Sequence, residues 1–167
     1  MNLRGVGIAG GAVVVVAAAL LVQDASAQTK YDKPSAQTKV KDRTPATHRL
    51  AIQIDDNDKG MMDLALNNAR NVIEYYKSKG EIVFVEIVTF GPGLHMLRSD
   101  TSPVKDRIAP MALEYPNLTF IGCGNTQANQ SKAEGKPVKL LSEAKVVPSG
   151  VVRLMELQKQ GYAYIRP

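Results

Sequence analysis

Apolar and polar residues alternate in blocks along most of the chain, and these blocks predict strands separated by helices. Three runs rich in apolar residues have the length of strands, at residues 49–54, 81–90 and 119–123. Between the first two, apolar positions recur at helical spacing over residues 61–79. Residues 162–165 predict a short terminal strand. Parallel neighbours need crossover connections, so this order predicts an α/β fold with a mainly parallel sheet.

Several local features carry more specific expectations. Ser102-Pro103 is a typical helix start, with Ser as N-cap and Pro at the first helical position. Pro110 lacks a backbone donor, so we expect a kink or an early break after it. The polar residues 127–136 predict a short helix that grades into a loop. The last helix is expected over residues 151–160, and the residues expected to face the core in this region are Val146, Val147, Val151, Leu154 and Met155.

The N-terminal residues 1–27 have the layout of a secretory signal peptide. A short positive segment ending at Arg4 precedes the apolar residues 8–22, and Ala25-Ser26-Ala27 is a small-x-small cleavage site. We expect cleavage after Ala27 and a periplasmic or secreted protein with no stable membrane insertion. The alternative is an uncleaved membrane anchor, because residues 5–22 form an uncharged stretch long enough to approach a bilayer span.

Residues 28–47 predict a disordered basic linker, because they are polar, carry Pro34 and Pro45, and hold almost no large apolar side chain. The folded domain is then residues 48–167. The formal net charge of +5 lies mainly toward the N-terminus: the first 49 residues hold 7 of the 21 Lys and Arg but 3 of the 16 Asp and Glu. The domain itself is nearly balanced, which argues against a nucleic-acid partner.

Cys123 is the only cysteine, and it ends the third predicted strand between Gly122 and Gly124. Open α/β sheets bind ligands at the carboxyl ends of their strands. Backbone amides and a helix dipole at such a position favour a thiolate. In an exported protein, an unpaired cysteine indicates a reactive thiol or an intermolecular disulfide. A free cysteine can equally be a small buried hydrophobic residue, and the local sequence leaves these interpretations open.

Several segments, in the same order, resemble the DsrE/DsrF-like family of sulfur-handling proteins, in particular its exported small members. The matching segments are ALNNARN (65–71), GPGLHML (91–97), CGNT (123–126) and PSGVVRL (148–154) with GYAYI (161–165). The resemblance spans residues 48–167. It implies a three-layer α/β/α fold with a five-stranded, largely parallel sheet and assembly into homo-oligomers such as trimers or hexamers. It also implies a cysteine that carries sulfur as a persulfide in a sulfur relay.

On this resemblance, Cys123 is the sulfur acceptor and exchanges sulfane sulfur with a donor and an acceptor. Whether it turns over as a sulfurtransferase is left open by the sequence. The alternative function is a non-enzymatic oligomeric module that binds a small ligand or a partner, with a structural cysteine. We expect no cofactor, since no phosphate-binding loop is present, and no metal, since two His and one Cys are too few for a zinc site. The candidate substrate-binding residues are Asn68, Gly91, Gly93, His95, Asn125 and Thr126.

Overall fold

The domain is built on one five-stranded sheet, seen in a computed structural model that describes residues 47–167. The strands run in the order β4-β3-β2-β1-β5, and every neighbouring pair is parallel. This confirms the predicted α/β fold. The strands are β1 (Thr47–Ile54), β2 (Ile82–Thr89), β3 (Leu118–Cys123), β4 (Ala144–Val147) and β5 (Ala163–Ile165).

Four α-helices and one 3-10 helix connect the strands. The apolar stripe predicted between β1 and β2 is confirmed as α1, which Asp58 caps by accepting a hydrogen bond from the Met61 N–H. Gly80 and Gly161 end α1 and the last helix with positive φ angles, as glycine permits. The helices are α1 (Lys59–Ser78), the 3-10 helix (Gly91–Leu97), α2 (Lys105–Glu114), α3 (Gly124–Glu134) and α4 (Gly150–Lys159).

The helices lie in two layers because the chain reverses direction once. From β1 to β4 each strand is added on the same side of the previous one, and right-handed crossovers then place α1, α2 and α3 on one face. The return from β4 to β5 crosses the sheet in the opposite direction, which places α4 on the other face. Two hydrophobic clusters follow this division: a large one that includes α1 and α2, and a smaller one in which Leu154 and Leu157 of α4 pack on Ala51, Val88 and Ile121.

The signal peptide and nearly all of the linker lie outside the described residues. Thr47, which the sequence assigned to the linker, is the first residue of β1 and pairs with Ile82. Within residues 47–167, no helix combines the length and the apolar character needed to cross a membrane.

The expected start of α2 at Ser102-Pro103 and the expected early break after Pro110 are both wrong. The helix begins at Lys105 with Val104 as its N-cap, because the Ser102 hydroxyl instead donates a hydrogen bond to the Met96 carbonyl inside a buried turn. Pro110 does not break α2, which continues to Glu114. A proline removes one intrahelical bond, and the buried side chains of Ile108 and Met111 on either side keep the helix on the core.

The predicted inner face of α4 is wrong at two positions. Leu154 is buried as expected, but Val151 and Met155 are 51% and 54% exposed. The buried face instead follows Gly150, Leu154 and Leu157, since Gly150 packs tightly against Phe90 at the start of the helix. Val146 is also exposed, because β4 is an edge strand. We call Val151, Val152 and Met155 the α4 patch.

Candidate functional site

The thiol of Cys123 lies between the first turns of two helices. Cys123 is the last residue of β3 and the N-cap of α3, with no connecting residue between strand and helix. Alternation along β3 turns Ile121 and Cys123 toward the α4 layer. There the first residue of α4, Gly150, is so close that an added Cβ would lie 3.3 Å from the Cys123 Cβ. The cysteine is 5% exposed.

This position is the switch point of the sheet. The chain leaves β3 toward α3 on one face and leaves the neighbouring strand β4 toward α4 on the opposite face. Cys123 and Val147, the last residues of the two strands, are direct neighbours in the register. In open α/β sheets, ligands bind in the crevice that opens where adjacent strands diverge in this way. The thiol therefore sits in the crevice that the topology creates.

Hydrogen-bond donors around the sulfur outweigh the effect of its burial. Burial raises the pKa of the Cys123 thiol, but the Thr126 hydroxyl and the backbone N–H groups of Gly150, Thr126 and Asn125 favour the thiolate, and together they hold the pKa below its ordinary value. These amides belong to the first turns of α3 and α4, where backbone N–H groups have no intrahelical partner. The same ends carry the positive poles of both helix dipoles.

Thr126 links the cysteine to the end of β2. The backbone N–H of Gly91 donates to Thr126 Oγ1 at 3.0 Å, which leaves the hydroxyl hydrogen free for the sulfur. Gly91 adopts a left-handed conformation, with φ of +54°, and its carbonyl accepts a hydrogen bond from Gln130. The structure thus brings Gly91, Asn125 and Thr126 together with Cys123, and Gly91 acts by positioning Thr126.

Within residues 47–167, no hydrogen bond joins the other three candidate residues to the thiol. Gly93 is buried where the 3-10 helix crosses the end of β1, and a Cβ there would lie 2.7 Å from the Asp55 backbone nitrogen and closer still to the Ile54 carbonyl. His95 is half-buried in the same helix, and its imidazole makes no hydrogen bond within residues 47–167. Asn68 belongs to α1, which packs on the sheet face opposite to Cys123.

Sequence reasoning missed the contribution of the turn before α4. The Gly150 N–H contributes to the lowered pKa of the Cys123 thiol, and the Pro148 carbonyl accepts a hydrogen bond from the Asn125 N–H at 3.1 Å. This bond fastens the start of α3 to the start of α4. The segment Pro148-Ser149-Gly150 was recognisable as a helix start, and Ser149 does cap α4 through the Val152 N–H. Its proximity to Cys123 depends on β4 being the neighbour of β3.

Among the described residues, the Cys123 thiol is the nucleophilic group that lies in this crevice. In this part of the chain, no group of three or more His, Cys, Asp or Glu side chains is arranged to hold a metal ion. The fold and the site define the class: a three-layer α/β domain with one cysteine at the switch point of a parallel sheet.

A solved structure of the same fold places the chain in a family. The chain is 30% identical to a protein of unknown function, MTH1491, from Methanobacterium thermoautotrophicum; the match covers 72% of this chain and 99% of that one, with a TM-score of 0.60. The chain belongs to the same family as MTH1491. No family model and no curated protein matches it.

Proposed function

We propose that the protein is a sulfur carrier that binds sulfane sulfur as a persulfide on Cys123. The observation that carries this proposal is the set of donors around the sulfur, which lowers the pKa of the thiol. A thiolate is the nucleophile in sulfur exchange. The resemblance of residues 48–167 to the DsrE/DsrF-like family supports the same function.

The loading step is an exchange at sulfur. The Cys123 thiolate attacks the outer sulfur of a persulfide or polysulfide donor. The Sγ–S bond forms while the S–S bond of the donor breaks, and the remaining donor sulfur leaves as a thiolate with the electron pair. The new terminal sulfur arrives with the proton of the donor persulfide and carries a negative charge once that proton is released to water. The N–H groups at the first turns of α3 and α4, those of Thr126 and Gly150, can stabilise this charge. Attack by an acceptor thiolate on this terminal sulfur reverses the step and regenerates Cys123.

Mass spectrometry of the polysulfide-treated protein tests the proposal. We expect a gain of about 32 Da, one sulfur atom, on the peptide that contains Cys123. The gain should disappear with dithiothreitol and should not form in Cys123→Ala. Because Cys123 is the only cysteine, no other thiol can account for the gain. Failure of the wild-type protein to gain sulfur above the Cys123→Ala control would overturn sulfur carriage.

A second candidate function is a non-enzymatic module that binds a small ligand or a partner, with Cys123 as a packing residue. The low exposure of Cys123, 5%, favours it. The two functions differ in thiol reactivity: a carrier thiol reacts with iodoacetamide in the native protein, whereas a packing thiol reacts only after denaturation. Labelling with and without urea separates them.

We also propose that the protein is a homo-oligomer, a trimer or a hexamer, that acts in the periplasm or outside the cell. The α4 patch supports the oligomer, because it leaves three large apolar side chains of one helix half exposed. We expect Val152→Asp combined with Met155→Asp to lower the molar mass measured by light scattering. Leu113→Asp is the matched control, since Leu113 is an apolar side chain that is 88% exposed on a different helix, α2. An unchanged mass in the double variant would remove the α4 patch from the interface.

A further inference from the structure

One ion pair joins α4 to the face of the sheet that it covers. The Glu86 carboxylate, on β2, accepts hydrogen bonds from Arg153 Nε at 2.9 Å and from Arg153 Nη2 at 2.5 Å. This bidentate arrangement is the most directional contact that an arginine forms with a carboxylate. Among residues 47–167, no other ion pair connects α4 to a strand.

Glu86 is a charged residue in the middle of a buried strand. It is 9% exposed, and its neighbours in β2, Val85 and Ile87, are fully buried. Taking a carboxylate out of water costs free energy that a buried ion pair seldom returns in full, so such a pair is weak evidence for stability. A buried pair can instead specify how two elements fit together.

The apolar contacts of α4 leave its rotation loosely determined. Apart from Gly150, the buried residues of the helix are Leu154 and Leu157, and they pack in a cluster with only three other buried residues. The α4 patch on the opposite side is exposed. Because apolar contacts are non-directional, they hold the helix against the sheet without fixing its angle. The Arg153 fork supplies a directional restraint.

Arg153 lies nearly one helical turn from the residue that meets the thiol. It follows Gly150 by three residues, so both lie on the side of α4 that faces the sheet. An added Cβ on Gly150 would lie 3.0 Å from Phe90 Cδ1 and 3.3 Å from Cys123 Cβ. A hydrogen bond weakens steeply when its angle departs from linearity. A small rotation of α4 therefore changes what the Gly150 N–H contributes to the sulfur.

We propose that Glu86 and Arg153 are positioning residues for Cys123. Their ion pair sets the rotation of α4 and thereby holds the Gly150 N–H and the start of the helix at the sulfur. The carboxylate itself lies far from the sulfur, because Glu86 pairs in the register with Thr119, four residues before Cys123 on β3. The inference rests on the thiol site of the proposed function, but its test does not depend on sulfur loading.

The ultraviolet absorbance of the thiolate, followed across pH, tests the proposal. The variants are Glu86→Gln and a double variant, Glu86→Leu with Arg153→Met, and Cys123→Ala supplies the blank. We expect the pKa of Cys123 to rise by about 0.7 in both, the equivalent of one hydrogen bond to the thiolate. The double variant replaces the pair with apolar side chains, a change that proteins often tolerate, so it decides the test if Glu86→Gln fails to fold.

The sign of the shift separates positioning from a direct effect of charge. Loss of the Glu86 charge alone would favour the thiolate and lower the pKa of Cys123, whereas loss of the Gly150 donor raises it. The double variant removes one charge of each sign and leaves the net charge unchanged. The other ionisable groups on this side, Glu156 beside Arg153 and Arg49 and Tyr162 near the pair, are kept in every variant.

Arg107→Met is the matched control. It removes an ion pair of 2.6 Å with Asp63 that joins α2 to α1 on the opposite face of the sheet. It should lower the stability in urea and leave the pKa of Cys123 unchanged. An unchanged or lower pKa in the double variant overturns the proposal, as does a lower pKa in Glu86→Gln. An equal rise in Arg107→Met also overturns it, because general loosening of the domain would then account for the shift.

Discussion

At the scale of single residues, neutral donors are the main cause of the lowered pKa of the Cys123 thiol. One hydroxyl and three backbone amides oppose the effect of burial. Three of these donors belong to the backbone, and every substitution other than proline keeps them. Thr126 is the exception, and its hydroxyl is oriented by the Gly91 N–H.

Thr126→Val should therefore slow the alkylation of Cys123 in the native protein. Loss of a donor to the thiolate disfavours the charged form, so the pKa of Cys123 rises and less thiolate is present at neutral pH. We expect alkylation by iodoacetamide at pH 7 to slow by a factor of about 5, the equivalent of one hydrogen bond. Rates measured across pH locate the change in pKa.

Thr126→Ser is the matched control, because it keeps the hydroxyl and loses only a methyl group. It should react much like the wild-type protein. Equal alkylation profiles for Thr126→Val and wild type would mean that the hydroxyl does not reach the sulfur.

At the scale of the secondary-structure elements, the site depends on junctions that contain at most one connecting residue. β3 passes directly into α3 at Cys123, so the direction of the thiol is fixed by two regular elements. The 3-10 helix follows β2 after one residue and presses Gly93 against the end of β1. The backbone of this segment also supplies Gly91 to Thr126. Close backbone packing at Gly93 therefore helps to hold the segment in which the Gly91 N–H orients the Thr126 hydroxyl.

Gly93→Ala should destabilise the domain strongly. The added Cβ collides with backbone atoms of Ile54 and Asp55, which cannot move without displacing β1. The matched control is Gly135→Ala, at a position with φ of +65° and open space around the missing Cβ; it should cost only about 1 kcal/mol. Urea denaturation of both variants measures the difference, and equal losses would show that the Gly93 contact is easily relieved.

At the scale of the whole molecule, one buried arginine holds the layer that carries the donors. α3 has no buried residue of its own, so polar contacts fix it. Arg98, which is 7% exposed, forms ion pairs with Asp100 at 2.8 Å and with Glu134, the last residue of α3. It joins the end of the 3-10 helix to the end of the helix whose start surrounds the thiol.

Arg98→Met should lower the stability of the domain and flatten its acid dependence. The Arg98 guanidinium holds the pKa values of Asp100 and Glu134 below their ordinary range. A depressed carboxyl pKa contributes stability that is complete above the pKa of the unfolded chain, near 4. That stability is lost as the pH falls through the lower folded values.

Thermal unfolding at a series of pH values tests this prediction. The wild-type midpoint should fall as the pH drops below 4. Arg98→Met should unfold several degrees lower at neutral pH. Its unfolding midpoint should fall less than that of the wild type on further acidification. Lys136→Met is the control, because Lys136 lies 3.9 Å from Glu134 and its side chain is 64% exposed. A parallel pH dependence in Arg98→Met and wild type would contradict the role given to Arg98.

The sequence by itself determined the elements and the position of the cysteine within them. β-branched runs became strands, the stripe of α1 became a buried face, and Gly80 and Gly161 became helix ends, because each depends on the geometry of a few neighbouring residues. Cys123 was correctly placed at the end of a strand before a helix. The segment containing Gly91 was expected near the site for a similarly local reason, a glycine at a strand end.

Only the tertiary structure decided which of these pieces meet. The order of the strands puts Gly150 beside Cys123 and puts Asn68 on the opposite face of the sheet. It also left Val151 and Met155 exposed and turned Ser102 inward to Met96. Strand order and helix rotation depend on contacts between residues far apart in the chain and on the sense of the crossovers. The position of the thiol at a strand end thus follows from the local sequence. The nearby start of α4, which helps to favour the thiolate, follows from the topology.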